Sequence, residues 1–264
     1  MNSFHAITNK ANQTLRRAWV NLGLPFDAPM VNEKKDGIID VESLLLATIL
    51  FMEHDRIVSD VPAWIVRFQD LINHQKLKSM VQAWPEKHRM TILENVKKDH
   101  FQATPKPFKK IFGLQGHPPK TVIETIESRK EKLNSIEHVA QSSIMINNRL
   151  LYGTGFRADV ITITQIRNHK LNGKRLSDLL CTANSTISRI LNDLKACQFI
   201  NQENERVRNS NAYPGMFISS HTLRNLYEIL DAEEFRSDEL KKAAYENLDF
   251  RYDRLGRQLL NGQR

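Results

Sequence analysis

Apolar positions recur along this chain at three- and four-residue steps, the period of helices with one buried face. Residues 4–22 form a first candidate helix, with Leu15 and Trp19 near its end and Gly23-Leu24-Pro25 stopping it. Residues 25–37 read as a loop. Asp40 is placed to cap a helix over 41–54, whose LLLATILFM run is apolar enough to be mostly buried. Pro62 is expected to open a helix over 63–73, carrying Trp64, Ile65, Phe68, Leu71 and Ile72. Two more helices are predicted over 75–83 and 86–98, the latter with Pro85 at its first turn.

The pattern then breaks. Residues 103–120, ATPKPFKKIFGLQGHPPK, hold four prolines, two glycines and four lysines, which reads as a linker or an extended basic arm. Residues 121–147 predict one long helix, with Val122, Ile126, Leu133, Ile136, Val139 and Ala140 as a seam that joins two halves or serves a dimer. Within RLLYGTGFRAD, 149–159, the GTGFRAD stretch before a helix has a superficial likeness to a phosphate loop but lacks the Lys-Ser/Thr of that motif. It is read as a turn, with Arg157 placed to touch a phosphate at the next helix N-terminus. Residues 156–168 predict a helix with Val160, Ile161, Ile163 and Ile166 for the core, although a strand would use the same β-branched residues.

The densest signal is RLSDLLCTANSTISRILNDLKACQFI, 175–200. A helix over 174–181 puts Leu176, Leu179 and Leu180 on one face. Thr182-Ala183-Asn184 makes a turn, and Ser185 is a candidate N-cap. A second helix over 186–196 has the apolar stripe Ile187, Ile190, Leu191 and Leu194. Its other face carries Thr186, Ser188, Arg189, Asn192 and Lys195. Arg can bond guanine and Asn adenine in two-pronged fashion in the major groove, while Ser and Thr reach bases or phosphates. The pattern therefore predicts a helix-turn-helix that reads DNA. An αα-hairpin with an ordinary solvated face would show the same periodicity. Phe199-Ile200 begins a predicted strand, 204–215 is polar and turn-rich with Arg206, Arg208, Asn209 and Asn211, and Met216-Phe217-Ile218 supplies a returning strand. Such a hairpin is suited to lie along a phosphate backbone.

Residues 156–219 resemble the winged-helix domain of MarR-like and related bacterial transcription regulators. The RLSDLL helix, the STISRILNDL helix and the following FI carry the resemblance, over about a quarter of the chain. It implies a winged helix-turn-helix fold that contacts double-stranded DNA through Lys174, Arg175, Ser185, Thr186, Ser188, Arg189, Asn192 and Lys195, and through the wing residues Arg206, Arg208, Asn209 and Asn211. Two departures stand out. Many such turns have Gly near the position of Cys181, and the family usually has Gly where Gln198 precedes the first wing strand. Gly serves there because it tolerates positive φ, so a strained or altered corner is expected at both.

The fold expected is thus mainly α. A helical domain (1–102) is followed by the basic linker or arm (103–120), a connecting helix (121–148), the winged helix-turn-helix (149–219) and C-terminal helices (220–264). Residues 221–230 and 237–260 show the helical period, and the stripe Leu240, Ala244, Leu248, Tyr252, Leu255 and Leu259 needs a covering surface, its own domain or a second subunit. A homodimer is therefore expected, and the N-terminal helical domain is expected to bind a protein partner, an effector or a second subunit.

Charge agrees with a polyanionic partner: the 264-residue chain carries a net charge of +8. Its only two cysteines, Cys181 and Cys197, are read as small apolar core residues, with no metal-ligand spacing around them. No cofactor is expected. The polar N-terminus and the short apolar run 44–52 lead to the expectation of a cytoplasmic protein without a membrane span. Catalysis is not expected. An Arg67-x6-His74 spacing matches that of HEPN-type ribonucleases, but nine histidines among nineteen arginines give one such spacing by chance. Asp238, Glu239 and Lys241 only faintly resemble the ending of a nuclease motif. The function expected is that of a sequence-specific DNA-binding prokaryotic transcription regulator. An antitoxin or defence-system component with an autoregulatory winged helix, and a plasmid or mobile-element replication initiator, are the alternatives.

Overall fold

The computed structural model describes residues 3–26, 38–51, 56–84, 86–166 and 172–200. Within them the chain forms α1 (Ser3–Asn21), α2 (Val41–Phe51), α3 (Arg56–Arg67), α4 (His74–Ala83), α5 (Glu86–Val96), α6 (Lys106–Phe112), α7 (Lys120–Glu131), α8 (Ile136–Ser142), α9 (Ile144–Tyr152), α10 (Phe156–Ile166), α11 (Gly173–Leu179) and α12 (Asn184–Ala196). Two 3₁₀ turns, Gln69–Leu71 and Asp99–Ala103, complete the inventory. The mainly helical class is as expected. No strand element occurs among the described residues. The segments over which a wing (with Arg206, Arg208, Asn209 and Asn211) and C-terminal helices are expected lie outside them.

The α2 helix is central because its residues are apolar on every side: Val41, Leu44, Leu45, Leu46, Ala47, Ile49 and Leu50 are all buried. It packs against α1, α3, α4 and α5. Asp40 starts it as predicted, its Oδ2 accepting from Ser43 Oγ at 2.8 Å. Trp19 and Trp64 meet edge to face at 5.5 Å, and each indole N–H is satisfied, by Thr48 Oγ1 and by the Leu22 carbonyl. The first helix stops at Gly23, whose φ is +92°. A Cβ there would also lie 3.0 Å from that of Asn134, so only glycine fits the approach of the 132–135 loop.

Three sequence expectations need correction. Pro62 does not open a helix; it lies buried inside α3, which begins at Arg56. The stripe Ile57, Val61, Trp64 and Ile65 runs straight through it, and the burial of these side chains outweighs one missing backbone bond.

Residues 103–120 are no linker. They contain α6, which places Phe108 and Phe112 in the main core, with the Phe101 ring stacked on Phe108 at 6.1 Å. Pro105 supplies the extended residue before α6, and Gly113 (φ +64°) ends it, with Leu114 N–H donating to the Lys109 carbonyl. The prolines and glycines are helix punctuation.

The long helix over 121–147 is three helices, α7, α8 and α9. Arg67 donates to the Lys130 and Leu133 carbonyls at 2.7 and 2.9 Å and so caps α7; Ser135 Oγ accepts from His138 N–H to start α8. Ser143, extended at φ −146°, breaks α8 from α9, and its buried hydroxyl accepts the Ile39 N–H. Polar groups thus win over the helical seam, Ser135 through a local cap and the α7 end and Ser143 through partners elsewhere in the fold.

Candidate nucleic-acid interface

Helices α10, α11 and α12 share one apolar cluster. Phe156, Val160, Ile161 and Ile163 of α10 meet Leu176, Leu179 and Leu180 around α11, and Ile187, Ile190, Leu191 and Leu194 of α12. This is the core that the helical spacing predicts. Asn172 caps α11 by accepting the N–H groups of Lys174 and Arg175 at 2.9 and 3.3 Å. Gly173 lies against α12: a Cβ there would stand 3.6 to 3.9 Å from Asn184, Leu191 and Ile187, which is ordinary contact.

The two corners flanking α12 have the same construction. After α11, Cys181 N–H donates to the Asp178 carbonyl and Thr182 N–H to the Ser177 carbonyl. After α12, Gln198 N–H donates to the Lys195 carbonyl and Phe199 N–H to the Leu194 carbonyl. Both are Schellman ends, which require a left-handed residue. The left-handed residues are Cys181 (φ +49°) and Gln198 (φ +55°), the only non-glycine residues of positive φ among those described. They are also the two positions at which the sequence departs from the expected glycines. The corners are therefore strained rather than rebuilt.

Ser185 is not the N-cap of α12. The helix begins one residue earlier, at Asn184, with Ala183 extended before it and no side chain capping it. Ser185 is instead exposed in the first turn. Ser188, Arg189 and Asn192 are exposed on the face opposite the buried stripe, with Thr186 and Lys195 half-buried at its margins. Lys174 is exposed and Arg175 half-buried at the start of α11. Eight of the twelve candidate residues thus gather on α11 and α12. The other four lie outside the described residues. Arg157 contributes differently from expectation: its guanidinium pairs with Asp193 on α12, neutralising the one carboxylate of the second helix. Of the cysteines, Cys181 packs on the main core, whereas Cys197 is exposed, contrary to the reading of it as a core residue.

Behind this surface lies a feature that sequence reasoning missed. Arg149 of α9 is almost fully buried and forms two-pronged pairs with Glu42 (2.7 and 2.8 Å) and Asp159 (2.8 and 3.0 Å). It also donates to the Leu71 carbonyl. Lys76, equally buried, stands 2.7 Å from Asp40, 3.4 Å from Glu42 and 3.7 Å from Asp159. Glu42 further accepts the Asn73 N–H at 2.7 Å.

Three carboxylates meet two cations. Burial pushes Asp40 up to about 6, Lys76 drawing it down and Glu42 pushing it further up. Burial also pushes Glu42 up, but Arg149 and Lys76 together hold it well below the usual carboxylate range. Burial works against charge on Lys76 and Arg149 as well, and the surrounding carboxylates raise both despite it. The sequence signal was present but faint: DVE set directly before an apolar run, and a lone Arg within IMINNRLL. The cluster ties α2 and α4 to α9 and α10, the helices on which the α11–α12 pair rests. Asn148 adds to the joint, donating to Thr162 and Gln165 of α10.

Of the Arg67–His74 pair, Arg67 donates to the end of α7, and burial lowers the basicity of His74. Among the described residues no group of His, Cys, Asp and Glu side chains is placed to hold a metal ion, and no helix is long and apolar enough to cross a membrane. Comparison of the chain with protein-family models, curated proteins and solved structures finds no match.

Proposed function

We propose that this protein binds duplex DNA sequence-specifically through α12, as a transcription regulator of the winged helix-turn-helix type. One observation carries the reading: α12 divides cleanly into a buried apolar stripe and an exposed face of Ser185, Ser188, Arg189 and Asn192. Among the described residues Arg189 has no ion pair, so its five N–H donors face no carboxylate there and suit a base edge. The uncapped first turn adds free backbone donors and the positive end of the helix dipole, both suited to a phosphate. Arg157 supports the same reading by offsetting the charge of Asp193, which would otherwise repel the DNA backbone. The wing residues would add contacts to the backbone, and a second copy of the chain would double the site.

The test is binding of the purified protein to its own upstream region and to random duplex across a salt series. Arg189→Ala is expected to cost roughly 1–3 kcal/mol on the specific site and to relax discrimination there. A variant that binds both duplexes as the parent does would remove α12 from the interface.

A further inference from the structure

Helix α6 carries Lys106, Lys109 and Lys110 at positions i, i+3 and i+4, which puts the three ammonium groups on one side of the helix. Phe108 and Phe112 occupy the opposite side and are buried. Lys106 and Lys110 are exposed and Lys109 is half-buried, and among the described residues no ion pair joins any of them to a carboxylate. None is close in sequence either: from His100 to Ile123 the chain contains no Asp or Glu.

Several cations elsewhere in the fold do face a carboxylate. Lys120 faces Glu124, Lys130 faces Glu127, Arg129 pairs with Asp60, and Arg157 with Asp193. Three like charges at helical spacing repel one another by a few tenths of a kcal/mol per pair. A fixed cluster of this kind, left without counter-charges, is a surface shaped for an external polyanion. The helix holding it is also firmly seated, because Phe108 is fully buried, stacked on Phe101 and packed at a tilt against Phe112.

We infer that the lysine face of α6 is a second DNA contact, gripping the phosphate backbone of the duplex independently of base sequence. This rests on the reading of the protein as a duplex-DNA binder and assigns a separate part of the molecule to it. Phosphate contacts set position and affinity, not sequence choice. The face supplies up to three counterion-releasing contacts that α12 does not provide.

The experiment uses the full chain and the triple variant Lys106→Gln, Lys109→Gln, Lys110→Gln. These changes replace solvent-facing ammonium groups with polar side chains of good helix propensity, and circular dichroism with thermal unfolding verifies the fold. Binding to random duplex is followed by fluorescence anisotropy between 50 and 200 mM salt. Each lost phosphate contact lowers the slope of log affinity against log salt by about 0.9. The triple variant is expected to lose roughly 2 to 3 from the slope, so that the drop in affinity over this salt range shrinks by about 40-fold. Discrimination between the specific site and random duplex should not change. The control Lys120→Gln, Lys130→Gln removes cations already paired with Glu124 and Glu127 and should leave the slope near that of the parent.

An unchanged slope in the triple variant overturns the inference, as does an equal loss per charge in the control, which would report net charge alone. If the triple variant loses slope while Arg189→Ala alters nothing, the α6 contact stands and the α12 reading falls. If Arg189→Ala relaxes discrimination and the triple variant behaves as the parent, the reverse holds. A parent that binds no duplex at low salt overturns both.

Discussion

At the scale of single residues, Cys181 and Gln198 are the informative pair. A non-glycine side chain in the left-handed region costs roughly 1–2 kcal/mol, because Cβ crowds the following carbonyl. Glycine removes that cost but regains only part of it, since its unfolded chain has more freedom to lose. Gln198 is exposed, so its side chain gives up little on truncation. Gln198→Gly is therefore expected to stabilise the fold by about 0.5–1 kcal/mol, raising the melting temperature by about 1–3 °C. Gln198→Val should lower it, because a β-branched residue at φ +55° is worse still. Cys181→Gly should gain less than Gln198→Gly, because the Cys181 side chain packs on the main core. Thermal unfolding of the three variants decides the matter, and a drop with Gln198→Gly would mean that the corner carries no strain. These two residues also show how far local chemistry was readable. Absence of an expected glycine marked both corners in the sequence, and the backbone adopts the glycine conformation there anyway because the Schellman bonds and the helix-packing core demand it.

At the scale of elements, legibility followed the strength of the apolar period and failed where punctuation residues dominate. The α11–α12 pair, α2 and α4 appear close to where their stripes place them. Segment 103–120 was misread because prolines and glycines drew attention from the phenylalanines. Pro105 and Gly113 bound a two-turn helix, and Phe108 and Phe112 stand one turn apart within it. Phe108→Ala is the discriminating substitution. In a linker or a solvated arm it would shift stability by no more than about 0.5 kcal/mol. At a fully buried ring packed on two others it should cost about 3–5 kcal/mol. Chemical denaturation at neutral pH measures the difference directly. The break of the 121–147 seam into three helices was hidden for another reason. Ser135 is a local cap, accepting from His138 N–H, but Ser143 becomes a helix boundary through a bond to a group whose position only the tertiary fold supplies, the Ile39 N–H. A one-dimensional period cannot register a partner 104 residues away.

At the scale of the whole molecule, the buried cluster of Asp40, Glu42, Lys76, Arg149 and Asp159 makes the N-terminal helices and the helix-turn-helix support one body. It also makes stability depend on pH in a defined direction. Three carboxylates against two cations leave one negative charge without an opposite, and a proton on Asp40 removes it. A carboxyl whose folded pKa lies above its unfolded one stabilises the fold when protonated, so the Asp40 contribution is complete below about its ordinary 3.8 and is lost as pH rises through about 6. A shift of about two units corresponds to on the order of 3 kcal/mol. Glu42 works in the opposite sense. Held below its ordinary 4.5, it contributes fully above that value and loses its contribution as pH falls further. Within the cluster only Asp40 changes state between about pH 5 and 7, so the cluster's contribution to stability should rise as the solution is acidified and turn downward once Glu42 begins to protonate. His74, its basicity lowered by burial, works in the opposite sense. Asp40→Asn tests the assignment, because the amide resembles the protonated acid in charge and shape and can still offer an oxygen to Lys76. The variant should be more stable than the parent at pH 7.5, more stable by only about half as much at pH 5, and should lack the Asp40 slope between them. Urea unfolding of both proteins at half-unit intervals isolates this cluster from every other titrating group, because all else is common to the two curves. Parallel curves for parent and variant would show that Asp40 stays ionised throughout, and the spare negative charge would then have to be balanced by the surrounding helix dipoles rather than by a proton.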